Sequence, residues 1–210
     1  MKIAYYYLNK LFNCSFECGH FPNFIFNPKL IQLLFGNSRQ IYINDCTILI
    51  LDYNIENRLQ FISNHLASAN RKIYFWLNKD IMGKYRDMVV KILANGGDKF
   101  KEVDLSFHTY SKSWDIIISV TMLYDQIIKY IATSRDCSKM VPNIIITYDS
   151  STSHKLSINK RAEEVKIEQL YYGIECTKYQ IANIHNPKVR FEFCHKAMGL
   201  SFIHIDKIKE

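Results

Sequence analysis

Three aspartates stand where an α/β protein would carry out chemistry. Asp52 ends the apolar run 47–51, and Asp149 ends a second apolar run, 143–148. Both runs predict buried strands, and in an open α/β sheet the loops at the carboxyl ends of the strands form the ligand crevice. Asp115 falls in the first turn of a predicted helix, where the helix dipole favours a carboxylate. Because a helix that follows a strand starts at the same edge, we expect the three acids to meet there.

A shared cation is the usual reason to bring carboxylates together, since they otherwise repel one another strongly. We therefore expect Asp52, Asp115 and Asp149 to be catalytic residues that hold Mg²⁺ or Mn²⁺. Such a site activates water and stabilises an in-line displacement at phosphorus. Taken singly, each aspartate fits a helix cap or a turn about equally well. The three together favour a metal site.

The elements that must position these acids alternate along the chain. The patterns predict strands at 47–52, 73–77, 103–107, 143–149 and 173–177, and helices at 55–69, 80–95, 114–132 and 155–171. Repeated strand–helix–strand units imply right-handed crossovers. The predicted fold is a three-layer α/β/α sandwich around a mainly parallel sheet, with the alternating tail after residue 187 suggesting edge strands.

Two parts of the chain differ in character. Residues 1–45 are irregular and rich in aromatic residues, which predicts an N-terminal extension packed on the core, and residues 46–210 form the α/β domain. No apolar run near eighteen residues and no signal peptide stand out, so we expect a cytoplasmic protein without a membrane span. The sequence leaves the oligomeric state open.

Charge and cysteines limit the partners. The net charge of +7 favours a polyanion such as nucleic acid, although a basic surface without any ligand fits about as well. The six cysteines are scattered and suit reduced core thiols better than a disulfide framework. Cys14, Cys18 and His20 invite a zinc site, but a fourth ligand with normal spacing is missing, which favours buried thiols.

Four stretches together resemble the PIN-domain ribonucleases and their NYN branch. The first resembles the opening strand motif, the second a Lys-x-x-Asp helix start, the third a later strand that ends in Asp, and the fourth a short Gly-led strand. In chain order they are residues 50–55, 110–118, 143–151 and 173–176, and they cover about 41–180 of the sequence.

The resemblance implies a PIN-like fold and a Mg²⁺- or Mn²⁺-dependent endoribonuclease that cleaves single-stranded or structured RNA. Asn54 and Ser151 would be supporting polar groups beside the three aspartates. Ser151 and Thr121 stand where the family pattern has acids, and Tyr148 replaces a glycine. The alternative is therefore a catalytically inactive module that binds RNA or a protein partner. Asp80 and Asp87 are both available as a fourth acid.

Contacts to RNA are expected beside the acids. Lys112 is placed to touch a phosphate, and Tyr53, Trp114 and Tyr148 each adjoin a candidate acid and could stack on bases. Most other aromatic residues lie inside apolar runs and are expected in the core. No Gly-x-Gly-x-x-Gly or Walker-type loop occurs, so a nucleotide cofactor is not supported.

Overall fold

The computed structural model describes residues 2–22, 26–36, 39–50, 54–76, 79–108, 113–149, 156–169, 174–198 and 200–208. Within these ranges the chain forms five helices and nine strands. The helices are α1 (Lys2–Phe12), α2 (Pro28–Phe35), α3 (Ile55–His65), α4 (Lys79–Asn95) and α5 (Ser113–Thr133). The strands are β1 (Ser15–Phe21), β2 (Ile41–Ile50), β3 (Leu66–Trp76), β4 (Phe100–His108), β5 (Asn143–Asp149), β6 (Glu163–Gln169), β7 (Glu175–Ala182), β8 (Arg190–Met198) and β9 (Leu200–Lys207).

All nine strands belong to one mixed sheet, in the order β1-β2-β3-β4-β5-β9-β8-β7-β6. The strands β1 to β5 are parallel and lie side by side in chain order. The helices α2, α3, α4 and α5 make the four connections between them. Consecutive right-handed crossovers that all step in one direction put their helices on one face of the sheet. Accordingly, each of these helices contacts the next, and together we call them the helix layer.

The second half of the sheet is antiparallel and shares the same helix layer. β9, β8, β7 and β6 follow β5 with alternating direction. α5 reaches across this half, where the ring centroids of Tyr124 and Phe193 lie 5.8 Å apart. The Tyr124 hydroxyl also hydrogen-bonds the hydroxyl of Tyr179. One long apolar helix therefore joins the parallel half to the antiparallel half.

The core lies between the helix layer and the sheet face that it covers. A single register row of buried aliphatic side chains crosses five strands on this face: Ile48, Ile73, Leu105, Ile146 and Ile203. Side chains alternate in direction along a strand, so the neighbouring row points the other way. That row consists of Thr47, Lys72, Asp104, Ile145 and His204. We call the sheet face that carries it the open face.

The expected three-layer, PIN-like sandwich is wrong. The structure is a nine-stranded mixed sheet in which strands outweigh helices, with the crossover helices on one side. Helices cover both faces only when the strand order reverses part-way through the sheet. Here β1 to β5 follow chain order without a reversal. A hydrophobic pattern identifies strands and helices but does not encode which strands are neighbours.

Predictions of individual elements failed at two places. The charged segment predicted as a helix at 155–171 contains β6, an edge strand. The helix predicted at 55–69 ends at His65, and β3 begins at Leu66. The aromatic N-terminal part supplies α1, the edge strand β1 and α2, and the expected boundary at residue 45 falls inside β2. Within α2, Asn27 caps the helix by accepting from Lys29 N at 2.9 Å.

α5 also departs from the expectation that no long apolar run exists. The 18-residue window Ile116–Thr133 has a mean hydropathy of 1.3. By length and composition alone, this helix could cross a membrane. Of that window, 56% is buried inside the protein. A helix that packs on the core of a sheet meets the same criteria.

The cysteines divide into two groups. Cys46, Cys137 and Cys176 are buried thiols, as expected, and Cys194 is half-buried. Cys14 and Cys18 are exposed, so the expectation that they are buried is wrong.

Among the described residues, no group of three or more His, Cys, Asp or Glu side chains is arranged to hold a metal ion.

Candidate functional site

The carboxyl ends of β2 to β5 share one edge of the sheet. Ile50, Phe75, Phe107 and Tyr148 form one register row close to that edge. Most of the predicted site belongs to the connections that leave it. Asp52, Tyr53, Lys112 and Ser151 lie outside the described residues, and the structure describes the backbone but not the side chains of Trp114 and Asp115.

Asp149 is the candidate acid whose side chain is described. It ends β5, is exposed, and pairs across the antiparallel ladder with Leu200 of β9. Side chains alternate in direction along β5, so the Asp149 side chain points to the open face, away from the helix layer. A carboxylate at this position is accessible to a cation or to solvent.

The strand order keeps the ends of β2 and β5 apart. β3 and β4 lie between them, so three strand spacings, about 14 Å in total, separate Ile50 from Tyr148. Cation–oxygen bonds of about 2.0–2.6 Å cannot bridge that span. A cation shared by Asp52, Asp115 and Asp149 would require residues 51–53 to run back over the ends of β3 and β4. The shared Mg²⁺ or Mn²⁺ site stays a prediction.

Asn54 begins α3 in a left-handed conformation, with φ 60° and ψ 24°. Its carbonyl oxygen accepts from Arg58 N at 3.1 Å, whereas its side chain makes no capping hydrogen bond. Asparagine tolerates this backbone region better than most residues do. The supporting polar group predicted from the sequence therefore has an exposed amide at the site edge, beside the first turn of α3.

Arg58 is a residue at this edge that the sequence reasoning missed. Its side chain is 1% exposed, and Nη1 donates to the carbonyl oxygen of Leu49 at 2.6 Å. The bond ties the first turn of α3 to the end of β2. The signal was available, because Arg58 shares the apolar face of the helix with Ile55, Leu59 and Ile62, where a charge is unusual.

Tyr148 is not available for base stacking. It faces the helix layer, is fully buried, and its hydroxyl lies 3.3 Å from His195 Nε2. Burial raises the pKa of this phenol, and a hydrogen bond with Ser201 opposes the rise. Its expected RNA contact is therefore a misassignment, because a strand residue next to an exposed acid points to the opposite face.

The two further acids considered lie in α4. Asp87 Oδ1 accepts a hydrogen bond of 2.7 Å from Gln126 Nε2, which ties α4 to α5 on the outside of the helix layer. The side chain of Asp80 lies outside the described residues. Thr121 Oγ1 donates to the carbonyl oxygen of Ile117 within α5 at 2.7 Å. These contacts give Asp87 and Thr121 structural roles.

Charge is unevenly divided between the two sides of the molecule. The open face carries eight acidic and five basic side chains in its register rows. The acids are Asp45, Glu102, Asp104, Asp149, Glu163, Glu168, Glu192 and Asp206, and the bases are Lys72, Lys166, Lys178, Arg190 and Lys196. In the rest of the sequence, 22 basic residues stand against 12 acidic ones. A net positive protein thus presents one net negative sheet face.

A buried arginine and a half-buried lysine lie under the helix layer. Arg71 of β3 is 1% exposed, with its guanidinium carbon 3.4 Å from the ring centroid of Phe100. Burial lowers its pKa to about 9, and the neighbouring Cys46 opposes this effect. Burial also lowers the pKa of Lys99, and Arg71 adds to that effect. Lys99 Nζ donates to the carbonyl oxygen of Ser63 near the end of α3, at 2.5 Å.

A family model matches the N-terminal part of the chain. The family described as Domain of unknown function (DUF8381) matches residues 1–76, from α1 to the end of β3. No curated protein and no solved structure matches the chain. The family match covers β1 and α2 together with β2 and β3, and it therefore runs across residue 45.

Proposed function

We propose that this protein binds RNA, through the surfaces that carry its excess of positive charge and not through the open face. The division of charge supports this proposal best. Outside the open face the sequence has about twice as many basic as acidic residues. α1 and α2 together contain three lysines and no acidic residue.

The physical reason is counterion release. A protein that neutralises phosphates with lysine or arginine frees condensed cations, so binding weakens steeply as salt rises. The acidic open face would repel the same polyanion. Repulsion on one side and attraction on the other would fix the orientation of the bound strand. The cytoplasmic location expected from the sequence fits an RNA partner and stays a prediction.

Fluorescence anisotropy with a labelled 15-nucleotide RNA, measured over a series of salt concentrations, tests the proposal. The double substitution Lys10→Ala and Lys29→Ala is expected to weaken binding and to reduce the salt slope by about 2. The matched control is Lys72→Ala with Lys196→Ala, which removes the same charge from the open face and should leave the affinity within about twofold. No binding at low salt, or an affinity independent of salt, would overturn RNA binding.

Metal-dependent RNA cleavage at the strand edge is a second candidate. It is favoured by two observations. Asp149 is exposed at the end of β5. The neighbouring strand β4 is followed by α5, which has Asp115 in its first turn. The assay is cleavage of labelled RNA with Mn²⁺, comparing wild type with Asp52→Asn, Asp115→Asn and Asp149→Asn. Asp206→Asn, on the open face near the other end of the strands, is the control. Cleavage that survives the three site substitutions would reject this edge as the active site.

A further inference from the structure

α1 has apolar residues on two of its faces. The inner face belongs to the core, where Leu8 and Phe12 are buried and the Tyr5 ring stacks on Phe35 with centroids 4.9 Å apart. A surface helix normally carries polar residues on its other side. The outer face of α1 departs from this rule and requires an explanation.

The outer face presents Ile3, Tyr6, Tyr7 and Lys10, which we call the outer stripe. Positions separated by three, four and seven residues lie on the same side of a helix. The side chains of Ile3, Tyr6 and Tyr7 are 75%, 54% and 66% exposed. The rings of Tyr6 and Tyr7 meet edge to face at 5.4 Å, and Lys10 Nζ lies 4.6 Å from the Tyr6 centroid.

Charge limits what this surface can bind. Within α1 and α2 the exposed charges are Lys2, Lys10 and Lys29, all positive. Positive charge next to exposed aromatic rings matches sites for unpaired nucleotides, in which bases stack on rings and cations contact phosphates. A membrane anchor would need more aliphatic surface than Ile3 and the 80% exposed Leu33 of α2 provide.

We propose that the outer stripe stacks unpaired bases of single-stranded RNA on Tyr6 and Tyr7, while Lys10 contacts the adjoining phosphate. Every base has a π-face, so such contacts tolerate many sequences. Double-stranded RNA keeps its bases stacked internally and offers no free faces to the rings. The stripe therefore selects single strands over duplexes. This inference rests on the proposed RNA binding and adds the strand type and the residues.

The experiment compares ring chemistry at fixed charge. Anisotropy titrations with labelled 15-nucleotide oligo-uridine are run on wild type, Tyr6→Leu with Tyr7→Leu, and Tyr6→Phe with Tyr7→Phe. The leucine pair keeps apolar area but loses the aromatic faces, so affinity should fall by about 10- to 100-fold. The phenylalanine pair should stay within about threefold of wild type. Tyr42→Leu, at a 57% exposed tyrosine of β2, is the matched control and should bind normally.

The outcomes separate the two proposals. If wild type does not bind oligo-uridine or duplex RNA, RNA binding itself fails and the stripe fails with it. If wild type binds in a salt-dependent way and the leucine pair binds equally well, only the stripe is rejected. Vesicles of phosphatidylcholine with and without phosphatidylserine form a parallel arm. Binding to the anionic vesicles that is lost in the leucine pair, with RNA affinity unchanged, would assign the stripe to membranes. Circular dichroism melts of each variant exclude unfolding as the cause.

Discussion

The side-chain amide of Asn183 closes the end of α5, because its Nδ2 donates to the carbonyl oxygen of Ile131 at 2.6 Å. The same nitrogen donates to Ser134 O at 2.8 Å. On the other side Oδ1 accepts from the backbone N–H groups of His185 and Asn186 at 2.8 and 3.0 Å. One buried side chain thus joins the end of α5 to the turn between β7 and β8.

Asn183→Ala is expected to lower the free energy of unfolding by about 2–3 kcal/mol, since it leaves buried carbonyl and N–H groups unpaired. Urea unfolding followed by circular dichroism measures the change. The matched control is Asn159→Ala, which removes a half-buried asparagine whose Oδ1 accepts from Arg161 N at 3.0 Å. That control should cost about 0.5 kcal/mol or less. Equal effects of the two substitutions would show that the buried amide has no special role.

Arg71→Met is expected to leave the free energy of unfolding unchanged or to raise it by up to about 4 kcal/mol. Among the described residues, Nε, Nη1 and Nη2 of Arg71 have no hydrogen-bond partner. A methionine of similar length keeps contact with the Phe100 ring without burying a charge. Lys72→Met, one residue along β3 and exposed, is the control and should change little. A clear loss of stability in Arg71→Met alone would mean that an anion pairs with the guanidinium.

The contribution of Arg71 to the free energy of unfolding depends on pH. Burial lowers the pKa of Arg71 to about 9 from 12.5, so above pH 9 the folded state loses this proton while the unfolded state keeps it. Stability from this group therefore rises with pH. Cys46 acts in the opposite direction, because burial raises the pKa of its thiol from 9.0 to about 11. The stability advantage of Arg71→Met over wild type should shrink between pH 8 and about 10. An advantage that stays constant over this range would show that buried Arg71 keeps its proton and that its pKa is not lowered to about 9.

The buried His65 is expected to make the folded protein less stable in mild acid. Its Nδ1 lies 3.1 Å from the carbonyl oxygen of Arg39, and burial lowers the pKa of the ring from 6.5. As pH falls below 6.5 the unfolded state binds this proton first, so folding becomes less favourable. Urea unfolding measured from pH 7 to 5 should show that the free energy of unfolding declines less for His65→Gln than for wild type. His185→Gln, at an exposed histidine, is the matched substitution. If the decline is the same in His65→Gln and wild type, another group causes it.

Local pattern predicted elements better than it predicted their arrangement. The strand expected at 143–149 is confirmed residue for residue as β5. The helices expected at 80–95 and 114–132 match α4 and α5 to within one residue at each end. β6 was missed because Ala162 and Val165 are spaced as on one face of a helix, whereas Val165 and Ile167 alternate as in a strand. At the edge of the sheet, pairing with β7 decides in favour of the strand.

The candidate site was harder to predict because it depends on strand order. Asp52 and Asp149 follow similar apolar runs, and the sequence predicted that they meet at one edge of the sheet. In the structure β3 and β4 lie between these strands. Arg58 was missed although it shares the apolar face of its helix, whereas Arg71 was not foreseen because a charged residue on the buried side of a strand looks like a solvent-facing one without tertiary contacts. The exposure of Tyr6 and Tyr7 was hidden by their apolar context in the same way.

Cys176 and Cys194 are placed to form a disulfide under oxidising conditions. Their Sγ atoms lie 3.4 Å apart on the neighbouring strands β7 and β8, so a shift of little more than 1 Å would allow the bond. Oxidised glutathione would accept the two electrons and the two thiol protons, giving two molecules of glutathione. Burial raises the pKa of Cys194 to about 11, so the thiolate is scarce at pH 7 and the rate should increase with pH.

Peptide mass mapping after treatment with oxidised glutathione should show a Cys176–Cys194 linkage, and unfolding should then require about 3 kcal/mol more because the bond closes a short loop. Cys176→Ser should lose both effects. Cys137→Ser, which removes another buried thiol, should keep the linkage. Mixed disulfides at the exposed Cys14 and Cys18 without a Cys176–Cys194 peptide would show that burial of Cys176 prevents the reaction, despite the short sulfur–sulfur distance.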